Sequence, residues 1–327
     1  MRRRDFNGLF SGAALAWPLA VPAQSAALPV VGFLNGGSPG PFAHLVAAYR
    51  EGLAQAGFTE GRNVAIEYRW AEGRYERLPE LAADLVRRRV AVLVTTGGEN
   101  STFAAKAATS SIPIVFAAGG HPVDLGLVAS LGRPDANLTG LTQYTGPLEG
   151  KRLGLLRELV PSAATIAVLI NPTFANAAAQ WQDIEEGARR LGVQLLRLPA
   201  SAEADFEPAF ASLVQQRVNA LLVSADPFFN TRRDRLVALA ARNKILAIYE
   251  FREFTAAGGL MSYGTNLADG YRKIGAYTGR ILQGSRPADL PVLQPTRFEF
   301  VINLRTAKTL GIKIPQSVLL RADEVIR

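Results

Sequence analysis

The 327-residue chain is 48% hydrophobic and 20% charged, carries a formal charge of +8, and contains two histidines and no cysteine. Disulfides, thiolate catalysis and cysteine metal sites are therefore excluded, so stability rests on packing, and a chain of this length has material for two domains. The basic residues are scattered, as in Arg87-Arg88-Arg89 and Arg232-Arg233, without the stripe and aromatic interleaving of a nucleic-acid module, and we read both runs as solvated faces.

Residues 1–23 have a cationic start, an apolar run over 8–21, and small residues before Gln24. These are the parts of a cleavable secretory signal, with Val21-Pro22-Ala23 as the preferred cleavage site. Arg3-Arg4-Asp5-Phe6 fits the twin-arginine export pattern, with Arg2 standing where that pattern prefers Ser or Thr. Pro18 and Pro22 interrupt a run shorter than the roughly 20 residues a bilayer requires, which argues against an anchor. The expected location is the periplasm.

From residue 28 on, short apolar runs alternate with segments of helical spacing, the pattern of an α/β fold. Strands are predicted at 29–34, 63–69, 90–95, 112–116, 165–170, 193–198, 219–224, 245–249 and 259–263. Most are continuously apolar, as strands buried on both faces of a parallel sheet should be. In 63–69, Val64, Ile66 and Tyr68 alternate with polar or small neighbours, which predicts a half-exposed strand near an edge. Helices are predicted from Pro41 through Leu45, Tyr49 and Leu53 to Gly57, along Leu81, Leu85 and Val86, and at 151–159, 175–191, 205–216, 232–243, 267–282 and 304–310. Strand–helix units fill 28–135 and a second series begins at Lys151. Between them, Asn137-Leu138-Thr139-Gly140-Leu141-Thr142 reads as a crossover between lobes.

In open parallel sheets, ligands bind beyond the carboxyl ends of the strands. The loops there are Asn35-Gly36-Gly37-Ser38, Thr95-Thr96-Gly97-Gly98 and Ala117-Ala118-Gly119-Gly120-His121 in the first half. In the second they are Asn171-Pro172-Thr173, Ser224-Ala225-Asp226-Pro227, Tyr249-Glu250 and Tyr263-Gly264-Thr265-Asn266. Glycines admit a ligand to backbone N–H groups, and helix N-termini favour a carboxylate or another anion. Each loop alone also fits an ordinary tight turn; three at one end of one lobe favour a cleft. Asp226 can hold a ligand ammonium or cap the following helix, with Pro227 at its first position. Tyr249 and Tyr263 can wall the cleft or sit in the core. The candidate ligand-binding residues are Asn35, Ser38, Thr96, Gly97, Gly119, His121, Asp226, Tyr249 and Tyr263. Gly32, Gly36, Gly37 and Gly40 miss the dinucleotide spacing, and neither a P-loop nor a nucleophile elbow is present. We expect no catalytic residue, metal or cofactor, and binding rather than catalysis.

Several stretches, in their order and spacing, carry a family resemblance. They are Val31-Gly32-Phe33-Leu34, the run from Glu60-Gly61-Arg62-Asn63 to Tyr68-Arg69-Trp70, Gly126-Leu127-Val128-Ala129-Ser130-Leu131, Asn137-Leu138-Thr139-Gly140, Lys151-Arg152-Leu153, Gly258-Gly259-Leu260-Met261-Ser262-Tyr263-Gly264 and Leu290-Pro291-Val292. Through them the chain resembles the proteobacterial ABC-transporter substrate-binding proteins related to the tryptophan- and tyrosine-binding transport proteins. The resemblance implies a type I periplasmic-binding-protein fold: two Rossmann-like α/β lobes with parallel sheets that close as a hinge. Lobe I would be 28–138 plus 264–290, and lobe II 141–262 plus 297–327. The implied role is the periplasmic solute-binding component of an ABC importer, a monomer that delivers a small polar or amino-acid-like ligand, such as an aromatic amino acid, to an inner-membrane permease. The alternatives are a ligand-sensing partner of a membrane receptor and an exported enzyme. Where the family usually reads Asp-Pro-Val, this chain has His121-Pro122-Val123, which would remove a negative charge from an ammonium site. Where it usually reads Arg-Pro-Gly-Gly-Asn, this chain has Arg133-Pro134-Asp135-Ala136-Asn137. Glu99-Asn100-Ser101 adds polarity where small residues and proline are common.

Overall fold

The computed structural model describes residues 28–134, 136–143 and 148–327. The expected signal over 1–23 and the twin-arginine pair lie outside them. β1 (Val30–Asn35), β2 (Ala65–Trp70), β3 (Val92–Thr96), β4 (Ile114–Ala118) and β5 (Leu138–Thr142) form a sheet in the order β2-β1-β3-β4-β5, with every pairing parallel. The apolar runs of β3 and β4 are buried throughout, because helices cover both faces. β2 is half-buried at each position and forms the sheet edge, as its alternating pattern predicts.

A second sheet contains β6 (Thr165–Ile170), β7 (Gln194–Pro199), β8 (Ala220–Val223), β9 (Leu246–Tyr249), β10 (Met261–Gly264), β11 (Glu299–Asn303) and β12 (Glu324–Ile326), in the order β12-β11-β10-β9-β8-β6-β7. The helices of the first half are α1 (Pro39–Gln55), α2 (Leu78–Arg87) and α3 (Glu99–Ala108). Those of the second are α4 (Glu149–Leu159), α5 (Ala177–Leu191), α6 (Phe206–Gln215), α7 (Pro227–Thr231), α8 (Arg233–Arg242) and α9 (Arg252–Ala256), followed by α10 (Leu267–Leu282), α11 (Leu304–Thr309) and α12 (Gln316–Leu319). The predicted strands all form, within two residues of their expected ends.

The structure corrects the sequence reading in two places. The segment expected as a crossover is β5, which pairs with β4 along its whole length from Ile114↔Leu138 to Ala118↔Thr142. The lobe boundary expected between 138 and 141 therefore falls inside a strand of the first sheet. Thr139, Gly140 and Thr142 hide this strand in the sequence, yet all five residues are buried. The second departure is β11, which runs antiparallel to β10 and was absent from the predicted strands, as was β12. Among the described residues the chain passes between the sheets at Thr265-Asn266 and over 294–298, and β5, ending at Thr142, belongs to the first sheet while β6, beginning at Thr165, belongs to the second.

The crossing at Thr265-Asn266 returns α10 to the first lobe, where it packs on α1. Contact is so close that a Cβ on Gly275 would lie 2.1 Å from the carbonyl oxygen of Tyr49, and one on Gly52 would lie 1.8 Å from that of Arg272. Backbone cannot give way as a flexible side chain can. Gly275→Ala is therefore expected to cost about 1–3 kcal/mol through overpacking, outweighing the roughly 1 kcal/mol that alanine gains over glycine in helix propensity. Urea unfolding should show a lower midpoint at unchanged slope; an unchanged or higher midpoint would contradict this packing.

Candidate functional site

The carboxyl ends of the two sheets face each other across a narrow slot with about 40 Å3 of free space in this closed arrangement. Its first-lobe wall comes from the loops after β3 and β4, with Phe42 of α1 and Tyr271 of α10. Its second-lobe wall comes from the loops after β8 and β9, carrying Asp226 and Glu250. The lobes touch across it. Tyr75 Oη donates to Asp226 Oδ1 at 2.8 Å, and the Tyr75 ring packs 6.2 Å from that of Phe174. Asn100 Nδ2 reaches Thr173 O at 3.3 Å, while Ala175 N–H donates to Asn100 Oδ1 at 3.0 Å. His44 Nε2 lies 3.3 Å from Glu253 Oε1. The lobes are closed on one another.

The Arg232-Arg233 pair, read from sequence as a solvated face, also belongs to this closure. Arg232 lies 4.4 Å over the Phe228 ring and reaches Glu72 O at 3.5 Å; Arg233 Nη1 lies 3.4 Å from Pro41 O.

Three carboxyl groups line the slot, and each is buried: Glu99 and Asp226 at 0% and 2% exposure, Glu250 at 3%. Asp226 caps α7, accepting from Phe228 N–H at 2.5 Å, and its other oxygen accepts from Asn171 Nδ2 at 3.0 Å. Capping and cleft lining therefore coexist in one residue. Burial pushes the Asp226 carboxyl up to about 7, against the opposing pull of the hydrogen bonds from Tyr75, Phe228 N–H and Asn171. Glu99 opens α3, and its Oε1 accepts from the N–H groups of Gly119 and Gly120 at 2.9 and 2.6 Å. Its Oε2 is buried without a hydrogen-bond partner, as is Glu250 Oε2. Burial raises both carboxyls above the ordinary range, Glu250 well above it despite the attraction of Arg152.

The loop bearing Asp226 is held from behind. Glu149 Oε1 accepts from Ala225 N–H at 3.0 Å and Gln180 Nε2 donates to Ala225 O at 2.7 Å. Glu149 pairs with Arg152 at 2.8 Å, both side chains fully buried, and Arg152 Nε donates to Tyr263 O at 2.8 Å. This buried pair anchors the loop after β8 and strand β10 to α4.

Of the residues expected to bind ligand, Gly97, Gly119 and Asp226 line the slot. Asn35 and Thr96 lie directly beneath it: Asn35 Nδ2 donates to Thr96 Oγ1 at 2.8 Å and to the lining Tyr271 Oη at 3.2 Å. The glycines between them serve loop packing, since a Cβ on Gly36 would lie 2.3 Å from Gly97 O. The other four lie elsewhere. Ser38 is half-buried at the start of α1 and makes no capping bond through its side chain. His121 sits outside the slot lining, with Nδ1 3.4 Å from Asp124 Oδ2. Tyr249 stacks on Phe254 at 4.6 Å in the core; it ends β9, and Glu250, the next residue, takes the cleft position. Tyr263 stacks against Phe298 at 6.1 Å.

Sequence reasoning passed over Glu99, Glu250 and Tyr75, and also the aromatic side chains Phe42, Phe174, Phe251 and Tyr271. Strand alternation offered one usable signal: a core Tyr249 puts Glu250 on the other side. A larger space of about 370 Å3 opens beside the crossings, between Gln143, Thr265 and Pro295. Its walls are the connecting segments together with the end of β5 and the start of α10, and it shares Gln143 with the slot.

The raised Asp226 carboxyl fixes the sign of a pH effect. Between the ordinary carboxylate range near about pH 4 and about pH 7 the folded chain holds a proton there that the unfolded chain has lost. Asp226 thus makes stability fall as pH rises through that window and level off above it. Melting temperatures followed from acid to neutral pH should show the protein losing stability relative to Asp226→Asn across the window; parallel curves would contradict the assignment.

The sequence matches, over residues 41–326, the family described as ABC transporter substrate binding protein. It is 26% identical over 265 residues to a tyrosine-binding protein of Clostridioides difficile (strain R20291), covering 80% of this chain and 74% of that protein. The fold matches a domain solved in complex with L-Trp from Streptococcus pneumonia at TM-score 0.82 and 23% identity, over 92% of this chain and 100% of that one. It also matches the ligand-free, open structure of a substrate binding protein with adhesive properties from Clostridium difficile, at TM-score 0.64 and 23% identity, over 92% of this chain and 99% of that one. The two-lobed fold is the type I periplasmic-binding-protein fold, and the chain belongs to the ABC transporter substrate binding protein family.

Proposed function

We propose that the protein is an exported, monomeric solute-binding component of an ABC importer, closing on a small polar, amino-acid-like solute and releasing it unchanged to an inner-membrane permease. The observation that carries this reading is the Tyr75–Asp226 hydrogen bond, which ties the lobes together inside the slot. A solute shifts a hinge only through contacts that differ between open and closed states. Here the walls come from both lobes, so a guest in the slot gains its contacts with the second wall only on closure. The lobe arrangement supports the same reading: at equal identity, the agreement is better with the L-Trp complex than with the ligand-free open structure.

The tyrosine-binding relative and the L-Trp complex support an amino-acid-like guest. The cationic, apolar and small-residue order of residues 1–23 supports export. Among the described residues no helix is long and apolar enough to cross a membrane.

A thermal-shift screen of the protein lacking residues 1–23, against amino acids, aromatic amines, sugars, nucleosides and small carboxylates, tests the reading. A solute that binds only the native state raises the melting temperature, and mass spectrometry should recover it unaltered. For a guest bearing an ammonium, Asp226→Ala is expected to weaken binding by about 1.5–3 kcal/mol. Turnover of the guest, or the absence of any stabilising solute, would contradict the proposal.

A further inference from the structure

An amino acid presents two charges, and a site for it must answer both. The ammonium needs acceptors and the carboxylate needs donors, which in folds of this kind are N–H groups at helix N-termini or a basic side chain. The slot supplies only the first. Among the described residues, no lysine, arginine or histidine lines it, and its charged groups are Glu99, Asp226 and Glu250. The nearest buried cation, Arg152, lies behind the wall, paired with Glu149 at 2.8 Å.

The backbone donors at the end of β4 are already engaged. The N–H groups of Gly119 and Gly120 converge on one carboxylate oxygen at 2.9 and 2.6 Å, and that oxygen belongs to Glu99. The same carboxylate draws on the Glu99 N–H at the start of α3. Glu99 thus places within the protein the anion that an amino acid would otherwise bring. Its second oxygen, and one oxygen of Glu250 in the opposite wall, are buried and have no hydrogen-bond partner. Around them stand the buried rings of Phe42, Phe174, Phe251 and Tyr271, whose faces attract a cation.

From this geometry we infer that the guest is an organic ammonium cation without a carboxylate, an aromatic amine rather than an aromatic amino acid, held between Glu99 and Asp226–Glu250 with the lobes parted further than in this arrangement, whose slot leaves about 40 Å3. The inference rests on the solute-binding reading and narrows its substrate class. Burial raises the Asp226 and Glu250 carboxyls, and a cation in the slot pulls them back towards the ionised form, so binding releases protons.

Isothermal titration calorimetry with matched pairs separates the possibilities: tyramine against tyrosine, and tryptamine against tryptophan, each in two buffers of different ionisation enthalpy. The amines should bind about tenfold or more tightly than their parent amino acids, with net proton release. Glu99→Gln keeps an acceptor for the Gly119 and Gly120 N–H groups but removes the charge. It should cost the amines about tenfold in affinity, the scale of one charge-assisted contact. Glu250→Gln should cost as much from the other wall and reduce the protons released.

Tighter binding of the amino acid than of its amine would overturn the inference while leaving the solute-binding reading intact. So would amine affinity and proton release that neither Glu99→Gln nor Glu250→Gln changes. If neither member of either pair binds, the inference falls. The sugars, nucleosides and carboxylates of the wider screen then decide the solute-binding reading separately.

Discussion

Carboxyl groups held out of water, with no cation beside them in the slot lining, are the constraint on which this cleft depends. An isolated buried carboxylate is costly, and a protein meets that cost by protonating the group, donating hydrogen bonds to it, or bringing a counter-charge. The first two are visible here. Asp226 accepts from Tyr75, Phe228 N–H and Asn171, and Glu99 accepts from two consecutive backbone N–H groups. The third reaches Glu250 from Arg152 behind the wall, and no cation lines the slot among the described residues. On the proposed reading a guest cation would supply it, and the attraction would be strong because it grows as water is excluded.

The surrounding scaffold exists to keep these groups in place. Parallel strands end at one edge of each sheet, and the crossings turn those edges towards each other. The Glu149–Arg152 pair, buried behind the second-lobe wall, fixes the Ala225 backbone through a carboxylate oxygen. In the first lobe, Asn35 links the ends of β1 and β3 and passes a hydrogen bond to Tyr271 on α10. Walls that keep their shape are what hinge closure requires. The exchange of the family's usual aspartate for His121 does not neutralise the site, because that position lies outside the lining and the charge comes from Glu99, Asp226 and Glu250.

Much of this architecture was legible in the sequence because its signals are local. Continuous apolar runs marked the buried strands, and the alternation of Val64, Ile66 and Tyr68 marked an edge. Leu138–Thr142 was not legible: its threonines and glycine carry no strand pattern, and its burial comes from β4 on one side and Leu293 on the other. For the site, the strand-end rule found the right loops but could not say which side chain of each loop faces inward. Tyr249 and Glu250 are adjacent, and one bond of chain direction separates core from cleft. Glu99 was visible as unusual polarity. Its engagement with Gly119 and Gly120 depends on two loops that only the folded sheet brings together.

The most direct test of hinge closure uses the absence of native cysteine, which makes paired labels unique. Spin labels at Glu76→Cys and Glu203→Cys, exposed positions in opposite lobes, report the separation across the mouth of the slot. The account predicts a long and a short separation in the unliganded protein, and collapse to the short one when a binding solute is added. A single separation that no bound solute alters would contradict it.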